Sequence, residues 1–187
     1  MKEIFPSATD DTCELVPLNE QRVEQTIERF AHHFKTHKKG LFILGPSGTG
    51  KSHYVRNQPS LDWIDGDTLW DAAGAHPPGP WWLGSLELIE AVDAHSDEVT
   101  KRAKQKGLWI LGASNNWLPP DAIVIPDWEL HQERIRYRET HNYDGGATSD
   151  RFDQVLSHRE WIQKWQEKGV PLYRSIEEAV EALTKDL

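Results

Sequence analysis

Apolar positions along the chain follow two rhythms, one of three and four residues and one of short unbroken runs. Behind Asn19, a good helix cap, Val23, Ile27, Phe30 and Phe34 recur at spacings of four, three and four. They predict a helix with one apolar face that ends near Gly40. Leu41-Phe42-Ile43-Leu44 is then apolar on both faces, as a strand inside a parallel sheet is. Further short strands are predicted at 61–65, 108–111, 122–125 and 170–173, with helical spacing between them. The stretch 83–106 reads as a helix broken near His95-Ser96-Asp97, and 127–141 as another helix, followed by a mobile loop at 142–148. Phe152, Val155, Leu156, Ile162 and Trp165 mark a helix starting near Asp150, and Ser175 with Glu178 forms a capping box for the last one. Five strands alternating with helices imply an α/β three-layer sandwich built on a parallel sheet.

A length of 187 residues suits a single domain, here 1–187 with an N-terminal arm at 1–18. A net charge of −9 argues against general attraction to a phosphate backbone, so nucleic acid is not the first partner expected. No run approaches the ~18 apolar residues of a membrane span, and the start lacks the apolar core of a secretory signal; a cytoplasmic location is expected. The single cysteine, Cys13, excludes an intramolecular disulfide framework and a cysteine-rich zinc site. Nine tryptophans are many for this length, and several lie near the chemistry described next.

Gly45-Pro46-Ser47-Gly48-Thr49-Gly50-Lys51-Ser52 matches the eight-residue phosphate-loop pattern in full, directly after a buried strand and before a helix. Glycines let such a loop turn its amides toward phosphates. Lys51 would reach the outer phosphates, Ser52 would hold magnesium, and His53 follows inside the nucleotide site, so Mg2+ and ATP are the expected cofactors. Trp63-Ile64-Asp65-Gly66-Asp67 puts two carboxylates at the carboxyl end of the second strand, the edge where open α/β sheets bind ligands. Asp67 is the expected base for an acceptor hydroxyl; Asp65 is the alternative, or a magnesium ligand through water.

The succession of GPSGTGKS, IDGDTLW and Pro80-Trp81-Trp82 resembles the small P-loop kinases, especially gluconate kinases, with shikimate, adenylylsulfate and nucleotide kinases as wider relatives. The resemblance implies a P-loop NTPase fold with strand order 2-3-1-4-5 and γ-phosphate transfer from ATP. Gly66-Asp67-Thr68-Leu69-Trp70 matches the family's segment after the second strand, with Trp70 in place of histidine, and Trp82 stands where leucine is usual. Ala113-Ser114 resembles the small pair ending the third strand. Glu133 to Arg138 is similar to the family's lid helix, on which Arg134 and Arg138 share one face and would neutralise the transferring phosphoryl group. One branch of phage P-loop kinases phosphorylates 5-hydroxymethyluracil within DNA, and a tryptophan-rich acceptor site would suit it.

The acceptor itself stays open: a small metabolite, a nucleotide or a hydroxymethylated DNA base. Trp81 and Trp82, in a rigid proline-rich segment, would wall a flat acceptor, and Trp70, Ser114, Asn115 and Asn116 are further candidate contacts. The competing class is a nucleotide-dependent switch or assembly factor that hydrolyses ATP slowly.

Overall fold

The computed structural model describes residues 14–141, 143 and 145–187. Cys13 and the start of the expected arm, with Asn142 and Asp144 of the expected loop, lie outside the described residues. The central strand is β1 (Leu41–Leu44), whose four side chains are all buried. Burial contributes about 2 kcal/mol for each such large side chain, which anchors the start of the glycine-rich loop. β1 pairs in parallel with β3 (Trp109–Gly112) on one side and β4 (Ala122–Val124) on the other. β2 (Trp63–Asp65) flanks β3 and β5 (Leu172–Tyr173) flanks β4, giving the order β2-β3-β1-β4-β5.

Alternation along β1 feeds two cores, since successive side chains of a strand point to opposite faces. Phe42 and Leu44 pack with α1 (Glu20–His33), α3 (Gly66–Ala73), α4 (Leu86–Gln105) and α6 (Phe152–Glu167). Leu41 and Ile43 pack on the other face with α2 (Lys51–Asn57) and α7 (Ile176–Thr184). The remaining helix among the described residues, α5 (Trp128–Thr140), reaches the glycine-rich loop.

Three expectations shift. α1 stops at His33 rather than near Gly40 because the amides of Lys35 and His37 bond the carbonyls of Leu61 and Gly107, drawing the chain off the helix. α4 is unbroken through His95-Ser96-Asp97: Ser96 and Thr100 return their hydroxyl protons to the carbonyls four residues back, and Asp97 points across to another loop. At α7 the Ser175 hydroxyl accepts from the Glu178 amide as expected, but the Glu178 carboxylate reaches the amide of Arg174, one residue before the cap.

Candidate functional site

The loop after β1 folds around its own lysine. Lys51 Nζ donates to the carbonyls of Gly45 and Pro46, each at 2.8 Å, and lies 3.3 Å from the Thr49 hydroxyl. Gly48 and Gly50 adopt φ of +89° and +92°, which disfavours a side chain at either position. At Gly48 a Cβ would also come within 2.8 Å of Ile135. Burial pushes the Lys51 ammonium down to about 8, against the pull of Asp67 and Asp65 upward.

The end of β2 meets the start of α2. The Ser52 hydroxyl donates to Asp65 Oδ2 at 2.6 Å, while Asp65 Oδ1 accepts from the Asp67 amide at 3.0 Å and so caps α3. Asp67 falls in the first turn of that helix, and burial, opposed by Lys51, holds its carboxyl above the ordinary carboxylate range. Ser52 and Asp65 are hard oxygen donors, and among the described residues no cluster of three His, Cys, Asp or Glu could hold a metal alone. That donor set fits an ion that completes its shell with phosphate oxygens and water, as magnesium does.

α5 and α6 brace the loop from outside. Arg159 Nη1 donates to His131 Nδ1 at 2.9 Å, and since an arginine only donates, the imidazole proton sits on Nε2, which bonds the Ser47 carbonyl at 2.7 Å. Burial pushes His131 down to about 4, so it stays neutral. His158 is pushed to about 4 as well, by burial and then by Lys51, and it bonds the Ala113 backbone. Arg134 donates to the Thr49 carbonyl at 3.1 Å and Arg138 lies 3.3 Å from the Ser47 hydroxyl, so both expected arginines reach the loop. The Ser47 hydroxyl also accepts from the Ala147 amide at 3.1 Å, tying the segment after Tyr143 to the glycine-rich loop.

From this loop a cavity of about 2640 Å³ extends toward α3 and α4. Single small-molecule pockets run to about 300–1,000 Å³, so this one has room for more than one small molecule. Trp81, Trp82, Ser114 and Asn116 line it, as do Lys51, Ser52, His53 and Asp67. His76 stands between the rings of Trp70 and Trp81 (centroids 5.3 and 4.8 Å), with Nε2 2.9 Å from Ser96 Oγ.

Two expected acceptor contacts lie elsewhere. Trp70 is fully buried in the core, its Nε1 donating to Thr100 at 2.9 Å and its indole occupying the space that a Cβ at Gly66 or Gly112 would need. Asn115 is 1% exposed, its amide donating to the Leu118 carbonyl and its oxygen facing Trp165, so it holds a loop together. Sequence reading missed Asp93, His131, His158 and Arg159.

A parallel sheet of this order, with a glycine-rich loop after its central strand and a lysine donating back into that loop, defines an α/β protein of the P-loop NTPase type. No family model matches the sequence, and no curated protein matches it. The resemblance to gluconate, shikimate and nucleotide kinases, and to the phage DNA-base kinases, is therefore not upheld at family level. Among solved structures the chain is similar to one from a study of the PezAT chromosomal toxin-antitoxin system of Streptococcus pneumoniae. The identity is 15%, over 86% of this chain and 80% of that chain, with a TM-score of 0.42. No described helix is long and apolar enough to cross a membrane.

Proposed function

We propose that this protein binds Mg·ATP at residues 45–52 and transfers the γ-phosphate to a hydroxyl of an acceptor seated in the adjoining part of the cavity. The observation that carries this reading is the joining of two motifs at one sheet edge: Ser52 bonded to Asp65 at 2.6 Å, with Asp67 beside the Lys51 ammonium.

Asp67 fits the role of base, because a carboxyl raised by burial holds a proton better than an exposed one. It takes the proton of the acceptor hydroxyl as that oxygen bonds to the γ-phosphorus and the bridging oxygen leaves with ADP. Lys51 and the guanidinium groups of Arg134 and Arg138 offset the charge on the transferring group. Magnesium, when bound, supplies further charge neutralisation at the phosphates, and Ser52 with Asp65 would hold it. Asp65 bonds the hydroxyl of Ser52 and the amide of Asp67, so it serves as the positioning residue for both.

Replacing Asp67→Asn is expected to lower label transfer from γ-labelled ATP by about 10²- to 10⁴-fold, with ATP affinity unchanged. Transfer at the wild-type rate would place the base elsewhere. Release of phosphate to water, with no acceptor labelled, would favour a nucleotide-dependent switch.

A further inference from the structure

Charge is divided along the cavity. On the side of the glycine-rich loop α2 and α5 contribute Lys51, Arg56, Arg134 and Arg138 against a single carboxylate, Glu133. On the far side the ionisable lining residues from α3 and α4 are Asp67, Asp71, Glu90 and Asp93, all carboxyl groups. The cation that borders them, Arg22 of α1, donates to the carbonyls of Ala72 and Asp71 at 2.9 and 3.1 Å, capping α3.

Two polar groups there are paired, Ser114 and the half-buried Asp93. Ser114 is 5% exposed and its hydroxyl is hydrogen-bonded to the Asp93 carboxyl. Burial, with Asp97 and Glu90 nearby, pushes Asp93 up to about 8, so at neutral pH it is a carboxylic acid with an O–H to donate and a carbonyl to accept. Trp81 and Trp82 supply the apolar walls, Trp81 packing at a tilt on His76 and edge-on against Trp82.

We propose that the part of the acceptor carrying the reacting hydroxyl is uncharged, and that Asp93 with Ser114 recognises it by hydrogen bonding between α3 and α4. The inference rests on the phosphotransfer reading above. An anionic moiety in this place would lie among carboxyls, with Lys51, Arg134 and Arg138 held at the glycine-rich loop. An uncharged hydroxylic moiety finds a donor, an acceptor and aromatic faces.

The test is label transfer from γ-labelled ATP to matched pairs, with ADP measured alongside: a hexitol against its hexonic acid, and benzyl alcohol against 4-(hydroxymethyl)benzoate. In each pair kcat/KM is expected to favour the neutral member by about tenfold or more. Asp93→Asn, which keeps an uncharged donor and acceptor, is expected to preserve that preference. Asp93→Leu is expected to raise the acceptor KM without moving the KM for ATP. Glu90→Lys, a charge reversal at an exposed position, is expected to narrow the ratio. Faster labelling of the anionic members, or a ratio indifferent to Glu90→Lys, overturns this inference and leaves the phosphotransfer reading standing. ADP formation with no acceptor labelled in either pair overturns both.

Discussion

Lys51 holds its ammonium inside a loop where burial has lowered its pKa to about 8, and on the proposed reading that single property makes nucleotide binding sensitive to pH. A triphosphate beside the ammonium favours the charged form, so its arrival raises the lysine's pKa again. Between about pH 8 and 9 ATP binding should therefore take up protons, and the affinity should fall as pH rises through that range. Calorimetry in buffers of different ionisation enthalpy measures the uptake directly; binding with no proton uptake at pH 8.5 would contradict the site described for Lys51. The sign for folding is opposite. The folded pKa lies below the 10.5 of a free lysine, so the unfolded chain binds more protons between the two values and this group's contribution to stability grows as pH rises through them. His131 and His158, both near 4, stay neutral throughout that range and leave the measurement to the lysine and the nearby carboxyls.

α4 shows how a helix can serve a site through one inward polar residue. Asp97 is fully buried, and its Oδ2 accepts from the amides of Asn116, Trp117 and Leu118 at 2.7, 2.6 and 3.1 Å, fixing the loop that follows Ser114. Asp97→Ala leaves three amides without that acceptor and should cost about 3 kcal/mol of stability in denaturant titration; a loss below about 1 kcal/mol would mean water or a rearranged loop replaces the carboxylate. The sequence hides this role, because a Ser-Asp pair inside a helical run reads as a break. Strands were easier to read. β1, β3 and β4 are short apolar runs buried on both sides of the sheet, as is Trp63-Ile64 of β2, and that pattern is local. Their edges were less legible: Leu61 is 45% exposed and β2 starts two residues later, where Trp63 enters the core. The glycine-rich loop carries its own signature, and it falls where that signature puts it, between β1 and α2. Trp70 was misplaced because proximity to Asp67 along the chain says nothing about which side of α3 a ring takes, and the glycines that admit it, Gly66 and Gly112, are 46 positions apart. His131, His158 and Asp93 are isolated polar residues on three helices with no motif around them; only the packing of α4, α5 and α6 across the sheet edge brings Asp93 and His158 to one cavity and His131 behind the glycine-rich loop.

Viewed as a whole molecule, the protein concentrates chemistry at one edge of its sheet. Parallel pairing aligns Leu44 with Gly112 and Asp65 with Leu111, so the glycine-rich loop, the Asp65–Asp67 turn and Ser114 all leave the sheet on the same side. A net charge of −9 coexists there with the cations of α2 and α5, which makes the nucleotide end of the cavity a local exception to an acidic surface. The central claim is that the loop at 45–52, with Lys51 at its centre, binds the triphosphate of ATP. Equilibrium titration of Mg·ATP into the wild-type and Lys51→Ala proteins, at pH 7 where the ammonium is charged, tests it most directly. Loss of one charge-assisted contact to phosphate should weaken binding by about a hundredfold; an unchanged dissociation constant would contradict the account.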